Sequence, residues 1–381
     1  MSRKRVLIVH PHVHPAGGGN LVGAWALEAL KDTCDLSLAT LGEIDFDSVN
    51  RNFGTSLAPG QFEVHVAGWK HRALLRLLPT PGALLQACVV MRAAQQLDRR
   101  RRFDVLFSTH NEAAFDRPGL QYVHFPWRFL PRPANEMHWY HRLPGTLTAY
   151  RSYCARIGRF SNEGIRRNCS LANSAFVAGK IREVHGMDSR ILYPPVPGNF
   201  PDPPWSERNA GFIGVGRIHG CKRWEMAVEI VDGLRRRGND VSLTLVGNRD
   251  DPDYLKRLTA LAASRPWFRL IHDCSRAQLL EELGRHRYGI HTMQDEHFGI
   301  AVAELQRAGC VPFVHNTGGP PEIVGDPRLT FSTVADAVGK IDLVLSRPEV
   351  EADLRSHVRA RREQFTASRF CAELRCIVEE F

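Results

Sequence analysis

Apolar residues in the first half of the chain fall in short runs of three to five, at 6–9, 36–39, 64–66, 105–108, 121–124 and 169–173. Runs of that length, bounded by glycine, proline or polar clusters, read as buried strands. Longer stretches lie between several of them, notably 21–30, 82–99 and 175–184, and read as helices. At 193–204 prolines become dense. Proline feeds neither a central strand nor a helix interior, so this stretch marks a linker. Beyond it the pattern restarts, with strands at 211–215, 242–246, 268–272, 288–292 and 311–315, and helices at 224–236 and 253–263. The last segment, 352–381, reads as helical and rather charged. Strands alternating with helices predict α/β units with mostly parallel sheets. The restart predicts two Rossmann-like domains, 1–200 and 201–365, with a terminal helix, 366–381, packing back on the first. Two such halves joined by a proline-rich hinge imply a central cleft, with ligands at the carboxyl ends of the strands.

Size agrees with two domains, because 381 residues exceed what one core usually organises. No run of about 18 apolar residues exists, which argues against a spanning helix. The segment Ser2 to Val9 is too short in its apolar part for a signal peptide, and His10, His12 and His14 follow at once, so it reads as a first strand. Nine cysteines without a Cys-x-x-Cys pair suit a reducing cytosol, and the expected location is cytoplasmic. Charge is unevenly placed. Residues 1–200 carry 25 Lys and Arg against 15 Asp and Glu, while 201–381 carry 25 against 26. A basic first half points to an anionic partner, either a phosphate-bearing acceptor or an anionic membrane surface touched peripherally from the cytoplasmic side. No nucleic-acid recognition motif accompanies it, so nucleic acid is not an expected partner.

Candidate chemistry is densest in the second half. Gly214-Val215-Gly216-Arg217 ends a strand in a tight turn, and Lys222-Arg223 open the next helix. Free backbone N–H groups at such a turn, with Arg217 and Lys222, would hold a diphosphate. A plain strand-to-helix turn with solvated cations accounts for that string equally well. The stretch from Glu296 to Glu304 shifts the balance. Phe298, Gly299 and Ile300 lead into a helix whose N-terminal amides suit a phosphate. Glu304, one turn inside, could accept from a ribose diol, and Glu296 would face what lies beyond the second phosphate. Gly309 and Thr317-Gly318-Gly319-Pro320-Pro321-Glu322-Ile323-Val324 complete the pattern. In the first half, Gly17-Gly18-Gly19-Asn20 follow the opening strand as a glycine loop before a helix.

With these motifs, 214–324 resembles the donor half of glycosyltransferase family 4, retaining enzymes of the GT-B fold. Tyr122-Val123-His124-Phe125-Pro126, Tyr193-Pro194-Pro195-Val196 and His297-Phe298-Gly299-Ile300 are similar to the branch holding α-1,2-mannosyltransferases that extend dolichol-linked oligosaccharides from GDP-mannose. The resemblance implies a metal-independent hexosyltransferase with no cofactor. Its co-substrate would be a GDP- or UDP-linked sugar, and its acceptor a glycan or lipid-linked glycan on the side of domain 1–200. It implies Arg217, Lys222 and Gly216 on the donor diphosphate, Glu296 on the sugar hydroxyls, and Glu304 on ribose. Gly18 and Gly19 would bring amides to the phosphate, and His124 would meet the donor sugar. The alternatives are a catalytically silent glycan- or nucleotide-binding protein of the same fold, and a dehydrogenase. The dehydrogenase lacks a Gly-x-Gly-x-x-Gly with a ribose-binding acid.

Weaker signals have plainer readings. Asp45-Phe46-Asp47 and Asp251-Pro252-Asp253 read as solvated loop acids, so no metal site is expected. Residues 68–79 mix Trp69, leucines and cations. They suit a helix packed on its own domain or a short membrane-interface helix. Arg99-Arg100-Arg101-Arg102 at a helix end read as complementing the helix dipole or as facing solvent.

Overall fold

A computed structural model describes residues 3–14, 17–68, 75, 82–126 and 145–381. The chain divides into two compact units, one formed by residues up to Pro197 together with Ala367–Phe381, the other by Gly198–Thr366.

In chain order the first unit contains β1 (Arg5–Val9), α1 (Gly18–Leu30), β2 (Asp35–Thr40), α2 (Phe46–Phe53), β3 (Glu63–Val66), α3 (Ala83–Arg101), β4 (Val105–Ser108), β5 (Leu120–Val123), α4 (Thr146–Gly158), α5 (Asn162–Arg166), β6 (Cys169–Ala172), α6 (Ala175–His185) and β7 (Arg190–Ile191). The second contains β8 (Asn209–Val215), α7 (Trp224–Arg236), β9 (Ser242–Gly247), α8 (Pro252–Ala263), β10 (Phe268–His272), α9 (Arg276–Arg285), β11 (His286–His291), α10 (Ile300–Arg307), β12 (Val311–His315), α11 (Pro320–Val324), β13 (Thr330–Phe331), α12 (Val334–Ser346) and α13 (Pro348–Arg361). A last helix, α14 (Ala367–Glu380), returns to the first unit. There Arg375 Nε donates to the carbonyl of Ala29 in α1 at 2.7 Å, and Lys4 Nζ donates to those of Val378 and Glu379 at 3.1 and 2.8 Å.

Both sheets are parallel. Their orders are β3-β2-β1-β4-β5-β6-β7 and β10-β9-β8-β11-β12-β13. Helices on both faces bury the central strands on both sides, which is why β1, β4 and the end of β8 are near-continuous apolar runs, whereas the edge strands β3 and β10 stay partly exposed. Val6, Leu7, Ile8 and Val9 of β1 have no exposed surface, and the same holds for Phe212 and Ile213 of β8. In each sheet the order reverses direction beside the first strand, between β1 and β4 and between β8 and β11. A crevice opens at such a switch point, at the carboxyl ends of the strands. Two points therefore matter for function: the ends of β1 and β4 in the first unit, and of β8 and β11 in the second.

The structure departs from the sequence reading in several places. The terminal stretch is not one helix. Its first helix ends at Arg361, a short 3-10 turn (Arg362–Phe365) buries Phe365, and α14 begins two residues later. Asp45 and Asp251 are helix caps. Asp45 accepts from the amide of Ser48 at 3.0 Å, and Asp251 from those of Asp253 and Tyr254 at 3.1 and 3.0 Å. A carboxylate that satisfies free amides at a helix start explains both Asp-x-Asp strings. The stretch 68–79 lies outside the described residues except for Gly68 and Leu75. Among the described residues no helix is long and apolar enough to cross a membrane.

Candidate active site

At the switch point of the second sheet, β8 ends in the turn through Gly216. Gly214 is needed there because a Cβ would lie 2.7 Å from both Leu245 and the buried Trp224 ring. A Cβ on Gly216 would lie 3.2 Å from Lys222 Cε and from Trp224, so the turn sits directly on the lysine stem. On the neighbouring strand a Cβ at Gly247 would fall 1.8 Å from the carbonyl oxygen of Gly216, so this crossing also requires glycine. Lys222 does not open a helix, as the sequence suggested. It ends a 3-10 turn (Gly220–Lys222), and Arg223 follows in the left-handed region at φ 54° before α7 begins. The hydroxyl of Thr292, just past β11, lies 2.7 and 3.0 Å from the carbonyls of Lys222 and Arg223 and fixes the turn from the other side of the crevice.

The two residues singled out most strongly meet here. Lys222 Nζ donates to Glu296 Oε2, with side chains 12% and 19% exposed. His291, buried at the end of β11, places Nε2 3.6 Å from the same oxygen. Burial opposes ionisation of Glu296, but the Lys222 charge, with His291 behind it, outweighs burial and holds the carboxyl well below the usual glutamate range. Burial pushes the His291 imidazole down, so it stays neutral near pH 7. Both neighbours take Oε2. The other carboxylate oxygen, Oε1, carries no hydrogen bond among the described residues, and neither do the remaining two N–H groups of Lys222. The pair thus presents an acceptor and two donors at the strand ends.

The downstream glycines hold Glu296 in place. The amide of Gly319 donates to the carbonyl of Glu296 at 2.8 Å, and the amide of Asp295 donates to Thr317 Oγ1 at 3.0 Å. A Cβ on Gly318, where φ is +84°, would lie 2.4 Å from the Glu296 carbonyl, and one on Gly319 2.6 Å from that of His297. Two backbone segments therefore touch with no room for a side chain. Gly299 enters α10 at φ 103°, and Ile300 is the first helical residue. Phe298 turns its ring into the core against Phe365, with centroids 5.9 Å apart, so what it can offer a ligand is backbone. Glu304 is buried and engaged by Arg276 at the start of α9. Arg217 stands apart from the Lys222–Glu296 pair. It is 61% exposed and donates to Asp250 at 2.7 Å.

In the first unit, Gly18 and Gly19 open α1, and a Cβ on Gly19 would lie 3.6 Å from His124 Nε2. The structure thus brings Gly19 and His124 together. Asn111, at φ 63°, accepts from the amides of His124 and Phe125 at 2.8 and 3.1 Å and shapes the bend after β5. His124 Nε2 lies 3.0 Å from the carbonyl of Thr109; only a protonated nitrogen can bond a carbonyl, so Nε2 carries hydrogen. Thr109 Oγ1 in turn lies 2.8 Å from His10 Nδ1, and His10 Nε2 lies 3.0 Å from Asn20 Oδ1. One chain of polar contacts links the ends of β1 and β4 to the start of α1. Sequence reasoning noted His10 only as following a strand, and missed Thr109, Asn111, His291, Thr292 and Arg276. Of these, Arg276 had a signal: Ser275 and Gln278 form a capping box that places it at a helix start.

The buried histidines predict a pH dependence. Burial first, and the neighbouring His110, lower His10 to about 3, and burial lowers His110 to about 4, both from 6.5. Between pH 6.5 and about 4 the unfolded chain therefore binds more protons than the folded one, and stability falls as pH falls. The slope is at most about 1.4 kcal/mol per pH unit for each group. Urea unfolding from pH 7.5 to 4.5 should show this loss. His10→Asn should be less stable at neutral pH with a flatter acid limb; an unchanged slope would contradict the assignment.

Comparison with known proteins fits this geometry. The profile of the family described as Glycosyl transferases group 1 matches residues 198–361, nearly the whole second unit. The second unit is thus similar to this family over that segment. The chain is 25% identical over 225 residues to the Dictyostelium discoideum GDP-Man:Man(3)GlcNAc(2)-PP-Dol alpha-1,2-mannosyltransferase, covering 52% of this chain and 45% of that one. It is 26% identical over 249 residues to the mouse protein of the same name, covering 57% and 50%. The chain thus spans about half the length of the curated relatives it matches. Across its whole length it shares the fold of Anabaena HepE, solved with UDP and glucose (TM-score 0.67, 15% identity, 99% of this chain and 100% of that one). WaaG, a glycosyltransferase involved in lipopolysaccharide biosynthesis, is similar at TM-score 0.65 and 12% identity, over 97% and 99%. Two parallel-sheet Rossmann-like units and these neighbours make the fold GT-B. The matched segment includes Lys222, Glu296 and Glu304.

Proposed function

We propose that the chain is a retaining hexosyltransferase that moves a sugar, with mannose the favoured hexose, from a GDP- or UDP-linked donor to a glycan or lipid-linked glycan acceptor. The observation that carries this reading is the Lys222–Glu296 pair at the switch point, with Oε1 of the acid and two ammonium N–H groups unengaged. Negative charge builds on the diphosphate as the sugar departs. An ammonium held in a shielded crevice stabilises that charge without reorganising. Lys222 can keep one N–H on Glu296 while turning the others to a phosphate oxygen. Glu296 Oε1 then accepts from a sugar hydroxyl. Amides of Gly299 and Ile300 at the start of α10 favour the second phosphate. Glu304 accepts from ribose once Arg276 yields one of its oxygens. Arg217 joins by exchanging Asp250 for phosphate, which its exposure permits.

The bond between the anomeric carbon and the phosphate oxygen breaks, and the acceptor oxygen attacks the same face. Its proton passes to the departing phosphate, so no protein nucleophile is required. Gly18, Gly19 and His124 in the first unit are the further residues assigned to substrate. The basic surplus of residues 1–200 suits a phosphate-bearing acceptor at an anionic membrane surface. The relatives named for Man(3)GlcNAc(2)-PP-Dol support a lipid diphosphate acceptor of that kind.

The test is transfer by purified protein from GDP-mannose, and from UDP-hexoses, to a short-chain lipid-diphosphate glycan, with the product linkage read by NMR. Product with the donor's anomeric configuration is expected. An inverted product, or no turnover of any nucleotide sugar by protein that binds them, contradicts the reading.

A further inference from the structure

A cavity of about 400 Å³ opens in the second unit at the opposite end of the sheet from Lys222 and Glu296. Its wall includes Arg208, just before β8, and Gly309, just before β12, and Arg208 Nη1 donates at 3.3 Å to the carbonyl of His286, where β11 begins. β8 runs seven residues between the two ends, which separates the sites by roughly 20 Å.

Its charges are one-sided. Arg208, Arg355, Arg359 and Arg362 line the cavity, and Asp202 is the one carboxylate among the lining residues. Asp202 serves three of them: Arg208 Nη2 at 3.0 Å, Arg362 Nη1 at 2.9 Å and Arg359 Nη2 at 3.7 Å. Arg355 has no carboxylate within ion-pair distance among the described residues and lies over the Trp205 ring at 4.4 Å. Glu363, 3.8 Å from Arg362 Nε, is 76% exposed and adds little. Arg208 is 2% exposed and forms the floor. Trp205, Pro203 and Val358 supply apolar wall, which weakens solvent screening between the guanidinium groups. A recess of this sign gathers anions. Guanidinium forks match the paired oxygens of a phosphate better than a single carboxylate or chloride, and the volume falls in the range of small-molecule sites.

We propose that this cavity binds a soluble phosphorylated small molecule, with its phosphate held by Arg355 and Arg359 above Arg208 and Arg362. Such a ligand would tie the segment around Trp205, which leads into β8, to α13. The site is independent of the donor residues and does not rest on the proposed transfer activity.

The probe is inorganic pyrophosphate, titrated calorimetrically into Lys222→Ala protein so that the donor crevice contributes little. One site is expected. Affinity should fall at least tenfold when Arg355→Gln and Arg359→Gln are added, with folding checked by circular dichroism. Should the combined variant fail to fold, Arg355→Gln alone, which breaks no ion pair, should still weaken binding several-fold. Unchanged affinity in the arginine variants, or no binding by the Lys222→Ala protein, overturns the proposal. So does sedimentation with phosphatidic-acid vesicles in the absence of pyrophosphate binding, which would move the ligand to a lipid surface.

Discussion

Lys222→Ala is expected to lower transfer by about 10²–10³-fold, the loss that follows removal of one preorganised donor to developing charge. Two effects combine. The leaving diphosphate loses its shielded cation, and Glu296 loses the neighbour that keeps it ionised against burial. The second effect predicts that Lys222→Ala also raises the Glu296 pKa, so residual activity gains an acidic limb that the wild type lacks. Lys222→Arg keeps the charge but not the slender stem that fits beside Gly216, and should recover only part of the rate. Steady-state rates from pH 5 to 8 on all three proteins check this. Wild-type activity in Lys222→Ala would remove the lysine from the mechanism.

Gly318→Ala should destabilise the second unit by about 3 kcal/mol or more and abolish donor binding in the fraction that remains folded. The added methyl faces backbone atoms: the Glu296 carbonyl at 2.4 Å and its amide nitrogen at 2.7 Å. Backbone cannot rotate away as a side chain can, and φ of +84° is itself costly for alanine. Relief requires the loop carrying Glu296 to move, which takes the carboxylate away from Lys222. Urea unfolding and nucleotide titration measure the two consequences separately. A stable variant with unaltered binding would show that the two loops are not locked together.

These two residues illustrate how much the sequence disclosed. The apolar runs located nearly every long strand, because strands buried on both faces leave an uninterrupted signal. The same patterning missed α2, α4, α5, α9 and α12, where the caps at Asp45, Ser161 and Thr333 and a capping box at Ser275 were usable marks for all but α4. The acids and Lys222 were legible as residue types at a strand-turn-helix junction. Their partners were not. Arg276 lies 28 positions before Glu304, and Glu296 lies 74 after Lys222, distances over which no local pattern carries information. Gly318 and Gly319 stood in the sequence only as part of the motif pattern, and the structure shows that they lock onto the Glu296 segment itself. Phe298 read as a donor contact because of its place in a motif, but its ring is committed to the core against Phe365. Asp45 and Asp251 read as free acids because helix caps and loop carboxylates share one composition.

Calorimetric titration of GDP and UDP into wild-type, Lys222→Ala and Glu304→Ala protein tests the central claim most directly. If the crevice between the ends of β8 and β11 holds the diphosphate and ribose, one nucleotide binds the wild type and each substitution weakens it at least tenfold. Equal affinity across the three proteins would place the nucleotide elsewhere and contradict the account.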